Sequence, residues 1–199
     1  MNANAEEMEL RERLELMERM ISQGRQTTRQ WGWTFVLWGV AYFIATAWAT
    51  WGKSWLAWPV TMTLAAVLTK IIAGRMRRGH PATALGRAIG AVWIAMGSTL
   101  MVVLVCLSVA GHYDGNVFVA FVGAMIAAAH GTSAMILRWK AQLWSALVWL
   151  AAAIAACFGS DAVVGIAFLG ATFLGQIVFG IYVMILESRE RNATGAVHA

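Results

Sequence analysis

Within the run "GAMIAAAHGTSAMILRWK", His130 is the only titratable group before Arg138. An imidazole in an apolar helix can carry a proton, ligate a metal or haem, or make a hydrogen bond that holds helices together. The spacing favours the last role. Gly123, Ala127, His130 and Ala134 recur at i, i+4, i+7 and i+11, so the imidazole lies on a stripe of small residues that suits a close helix contact. Gln176 is its expected partner. Each lies about 14 residues into its own apolar segment, and the two segments run in the same direction, so at 1.5 Å per residue their depths agree to about one turn. A His130–Gln176 hydrogen bond, with Thr172 or Ser133 beside it, is the expectation. No second His shares that depth, because His80 and His112 fall in links. Lys70 reads as a snorkelling side chain near a span end, with an ion pair to Glu187 as the alternative. His112, Asp114, Cys106, Cys157 and Asp161 gather towards the opposite ends of the spans. They are metal-ligand types, and the two thiols could form a disulfide in an oxidising space. Their spacing matches no metal motif, so the default reading is buried thiols acting as small apolar groups.

The chemistry that is missing separates function classes. No Asp, Glu or Arg falls in the middle of an apolar run, where ion-coupled pumps and proton relays place theirs. No HExxH, glycine-rich phosphate loop or CxxC is present, and no nucleophile–base–orienter set can be assembled. The reading is therefore non-enzymatic, with no cofactor expected. The chain is 60% hydrophobic and 13% charged, against roughly 25% charged for an average soluble domain. Its net charge of +5 comes from basic residues at the ends of apolar runs, which argues for a membrane and against nucleic acid.

The elements that must position these residues follow from the apolar runs. Segments at about 31–51, 55–74, 87–110, 116–137, 141–158 and 162–186 are each near the ~20 residues that a spanning helix needs. The links "WGKSW", "GHYDGN" and "GSD" are short, which makes successive helices antiparallel neighbours. The expected fold is an all-α polytopic membrane protein: six transmembrane helices (31–186) as three consecutive hairpins, a preceding amphipathic helix and linker (1–30), and a tail (187–199). The helix over 4–29 carries Leu10, Leu14, Met17 and Ile21 on one stripe, with Glu-before-Arg pairs four residues apart on its flanks. Gly24 and "QTTRQ" should loosen it before the membrane. With six spans both termini share a side, and every Lys and Arg of the chain except Lys53 lies on it. That bias places both termini in the cytoplasm, in the inner membrane of a bacterium.

The charged N-terminal helix, the segment "WGWTFVLWGVAYF" and the turn "ILRWKAQLWSALVWLAAAIAACF" together resemble a loose group of small six-span bacterial membrane proteins with no assigned activity. The group often carries a Pro-Gly-Tyr-like element late in the sixth span. Here "FGIY" at Phe179–Tyr182 stands near that place without the proline. Because such proteins are often encoded beside winged-helix regulators, the resemblance implies regulation. The leading expectation is a sensing, regulatory or assembly protein that acts through residues 4–29, by a cytoplasmic protein partner or by self-association. Mixed Glu/Arg charge suits a protein surface better than an anionic lipid surface, which favours Lys/Arg-rich faces. A transporter or channel for a small neutral or apolar solute is the alternative, and a metal- or haem-binding membrane protein the third reading.

Overall fold

The computed structural model describes residues 3–54, 56–76, 83–111 and 114–197. Among these residues all regular structure is helical. α1 (Ala3–Gln30) is followed by α2 (Gly32–Gly52), α3 (Ala57–Met76), α4 (Ala84–Val109), α5 (Gly115–Leu137) and α6 (Lys140–Phe158). The last span is composite: α7 (Asp161–Thr172), a π-helical turn (Phe173–Val178) and α8 (Phe179–Val197). Among the described residues six stretches are long and apolar enough to cross a membrane: Gly32–Gly52, Ala57–Arg75, Ala84–Leu107, Gly115–Leu137, Lys140–Phe158 and Asp161–Glu190. The chain is thus a helical membrane protein.

The helix ends are set locally. Asp114 caps α5, its carboxylate accepting from the N–H groups of Asn116 (2.8 Å) and Val117 (3.0 Å). Arg138 stops the same helix in the left-handed region (φ 49°), and its N–H returns to the carbonyls of Ala134 and Met135. Lys53 ends α2 in the same conformation (φ 46°).

Small residues set the packing. The broadest contact joins α5 to α6, where Gly123 lies against the Trp149 carbonyl and Ala153. A Cβ at Gly123 would come within 3.1 Å of both. α2 meets α8 at a second close crossing, where a Cβ at Gly180 would stand 2.9 Å from the Gly32 carbonyl oxygen. Lipid is as apolar as a leucine side chain, so close backbone approach rather than expulsion of water holds spans together. α2 packs on α3, α4 on α5 and α6 on α7. Among the described elements the backbone of α3 approaches α2 alone, and that of α4 approaches only α5 and α1. These two helices flank a central group of α2, α5, α6 and the composite span, and α4 turns Ile94 and Val102 outward. An apolar exterior of this kind is what a span presents to lipid.

α1 departs from the sequence expectation. It is unbroken through Gly24 and the Thr-rich segment to Gln30. Gly24 is buried against Leu85 and Leu137 and is needed for that approach, not for bending. The hydroxyls of Thr27 and Thr28 donate back to the carbonyls of Gln23 and Gly24, both at 3.0 Å, so they do not compete with the helix.

Candidate functional site

Two places concentrate polar chemistry: the junction where α1 meets the bundle, and a buried polar layer within the spans.

At the junction, the side chain of Arg25 reaches across to the end of α5. Its Nε donates to the Leu137 carbonyl (2.7 Å) and its Nη2 to that of Arg138 (2.8 Å). Those carbonyls belong to a helix end, where acceptors lack intrahelical partners and a cation meets the negative end of the helix dipole. One turn on, Arg29 pairs with Glu190 of α8 and lies 5.9 Å from the centre of the Trp139 ring. Thr28 is buried, and the Thr27 methyl lies against Gly86 at the start of α4. The last two turns of α1 thus bridge α8, the α5–α6 turn and α4. Its preceding turns stand open: Leu10, Leu14 and Met17 are more than half exposed. Their flanks carry the intrahelical pairs Glu7–Arg11, Glu9–Arg13 and Glu15–Arg19.

The polar layer is built from four elements. His130 is fully buried inside three aromatic rings: Phe35 of α2 at 5.3 Å, Trp93 of α4 at 4.9 Å and Phe179 of α8 at 5.4 Å between centroids. One turn along α5 is Ser133. Across the α5–α6 seam, where Gly131 faces Ala146, α6 contributes Gln142 and Ser145. Thr172 and Gln176 come from the composite span, and the Gln176 Cβ lies where Gly39 of α2 leaves room for it. The π-helical turn is tied into this layer. Ser145 Oγ donates to the Gly175 carbonyl at 2.7 Å, and Trp149 fills the space that a Cβ at Gly175 would need. π turns occur chiefly as single widened turns, often at functional sites.

The expected His130–Gln176 hydrogen bond is not made. Neither ring nitrogen of His130 has a hydrogen-bond partner, and neither does Gln176 Oε1, Ser133 Oγ, Thr172 Oγ1, the Trp149 indole nitrogen or the Gln142 amide. The aromatic ring set explains the first of these: with Phe35, Trp93 and Phe179 packed around it, His130 is held by ring contacts instead. His130, Ser133, Gln142 and Thr172 have no accessible surface, so no water-filled path reaches them.

The other sequence-derived positions separate. Cys106 and Cys157 are free and exposed, neither paired nor buried. A thiol is apolar enough to face lipid, and Cys157 also donates to the Ala153 carbonyl (3.4 Å). Asp114 is occupied as a helix cap and Asp161 opens α7, while His112 lies outside the described residues. Among the described residues no three His, Cys, Asp or Glu side chains come together as a metal site. Lys70 is exposed on α3, a helix whose backbone does not approach α8, and makes no ion pair with Glu187. Sequence reasoning passed over Arg25, Arg29, Gln142, Ser145 and Trp149. The signal for Gln142 and Ser145 was present, since they are polar residues one turn apart on an apolar helix. No family model, curated protein or solved structure matches this chain.

Proposed function

We propose that this chain is a non-enzymatic regulatory or sensing protein of the bacterial inner membrane. Both termini are cytoplasmic, the six spans form three hairpins, and α1 is the working element. The observation that carries this reading is the junction. Arg25 and Arg29 fix α1 to the α5–α6 turn and to α8, so a force on the free turns of α1 is delivered to helices that also build the polar layer. A conduit for a neutral solute is the weaker reading, because His130, Ser133, Gln142 and Thr172 of the polar layer have no accessible surface. The test is deletion of residues 1–20, which leaves the junction in place. Cross-linked partners, oligomeric state and hydrogen exchange over residues 134–142 are then compared with those of the full chain in membranes. A change in at least one is expected; identity in all three would overturn the reading.

A further inference from the structure

Polar atoms without partners gather at one level of the spans, beside the π-helical turn. Ser133, Gln142, Trp149, Thr172 and Gln176 are each at most 3% exposed. Six of their side-chain atoms make no hydrogen bond: Ser133 Oγ, Gln142 Nε2 and Oε1, Trp149 Nε1, Thr172 Oγ1 and Gln176 Oε1. Contacts set their depth. Ser145 Oγ meets the Gly175 carbonyl at 2.7 Å, and Trp149 Nε1 would stand 2.6 Å from a Cβ at Gly175. α6 and α7 pack as neighbours joined by Gly159 and Ser160 alone, so they run antiparallel. Thr172, three residues before Gly175, is therefore level with Trp149, four residues after Ser145. Gln176 and Gln142 lie on the other side of the same contact, one and three residues from it. Ser133 and Gln142 stand five and four residues from Arg138, on the two arms of the α5–α6 turn. At about 1.5 Å per residue each of these pairs agrees in depth to less than one turn.

The chemistry of this set selects its ligand. The five side chains are uncharged, and they offer donors and acceptors together: indole and amide N–H groups donate, amide oxygens accept and hydroxyls do either. An ion would find no counter-charge among them. An apolar molecule would leave every one of them unpaired, at about 1–3 kcal/mol each. Water satisfies both kinds of group, and a buried water makes about three hydrogen bonds, so six orphaned atoms correspond to about two waters. We propose that Ser133, Gln142, Trp149, Thr172 and Gln176 form a binding site for ordered water, sealed within the spans beside the π-helical turn. His130 is not part of it, because Phe35, Trp93 and Phe179 enclose its ring. The bound waters join α5 and α6 to the composite span by hydrogen bonds where Ser145 alone makes a direct one.

The experiment exposes the full chain, in detergent micelles, to a brief X-ray pulse. Radiolysis of a bound water releases hydroxyl radical beside the side chain that holds it, so a residue without accessible surface is oxidised where it carries water. Trp149 is expected to be oxidised well above Phe168, an equally buried ring 5.9 Å away. Thr172→Val, which keeps the shape and removes a hydroxyl, is expected to lose most of the Trp149 labelling and to lower the unfolding midpoint. Trp149 as unlabelled as Phe168 overturns the proposal, and this reading needs no variant to fold. Trp149 labelling unchanged in Thr172→Val overturns it too, as does a rise in the unfolding midpoint, which would mean that the hydroxyl is dry. A small neutral solute released from the denatured protein in equimolar amount would name that solute as the occupant and overturn water.

Discussion

Replacing His130 by phenylalanine should make the protein more stable, although it removes the most distinctive polar group in the spans. Both ring nitrogens are buried without a hydrogen-bond partner. Leaving such a group unsatisfied costs about 1–3 kcal/mol each. A phenyl ring keeps the aromatic packing against Phe35, Trp93 and Phe179, all with centroids within 5.4 Å of the imidazole. Its extra volume in a filled site costs about 1–3 kcal/mol. Taking the middle of each range, two nitrogens at about 2 kcal/mol each against about 2 kcal/mol for the volume, the balance is a gain of about 2 kcal/mol. His130→Ala provides the contrast, since it also deletes both nitrogens but empties a ring-sized space, at a cost of about 4 kcal/mol for an aromatic side chain, which cancels the gain. Unfolding of the three proteins in one detergent should therefore place phenylalanine above both histidine and alanine. If the phenylalanine variant is no more stable than the histidine protein, the imidazole is hydrogen-bonded in the folded protein and the ring-contact account of His130 is wrong.

Four further outcomes follow from the packing. Gly180→Ala places a Cβ 2.9 Å from the Gly32 carbonyl oxygen and should cost about 1–3 kcal/mol in the same unfolding assay. Gly165→Ala, with nothing within 4 Å, should be neutral or gain up to about 1 kcal/mol. Arg25→Ala should raise hydrogen exchange at the end of α5, and Arg25→Lys should not restore protection, because an ammonium cannot span two carbonyls with the guanidinium fork. Arg138→Gly relieves a left-handed residue and should stabilise by up to about 1 kcal/mol, read by chemical denaturation.

The spans were legible in the sequence because the bilayer demands long apolar runs, and a run is a one-dimensional property. That His130 faces inward was legible too, from the small residues at helical spacing beside it. Its neighbours were not. Phe35, Trp93 and Phe179 come from three different helices, and nothing in the period of one helix states which others lie beside it. The same limit hid the lateral placement of α3 and α4. Gly24 misled because a glycine needed for close approach and a glycine that breaks a helix look alike until the opposing side chain is known. Arg25 and Arg29 read as two more basic residues at a membrane edge. Their roles depend on carbonyls more than a hundred positions away and on Glu190.

A π-helical turn holds one residue more than the α-helix it interrupts, so everything after it is rotated by about 100° from where a regular helix would have left it. The composite span uses that offset. Val164, Phe168 and Ala171 turn into the core, and a regular helix would next bury positions near 175, 178 and 182. Phe179 and Val183 are buried instead, and Val178 and Tyr182 face out. The insertion therefore works as a phase shift, by which one continuous rod addresses two differently placed surfaces. A relative lacking one residue between 173 and 178 would carry its second apolar set a position earlier, and an alignment gap at this point would mark a change in which helices touch.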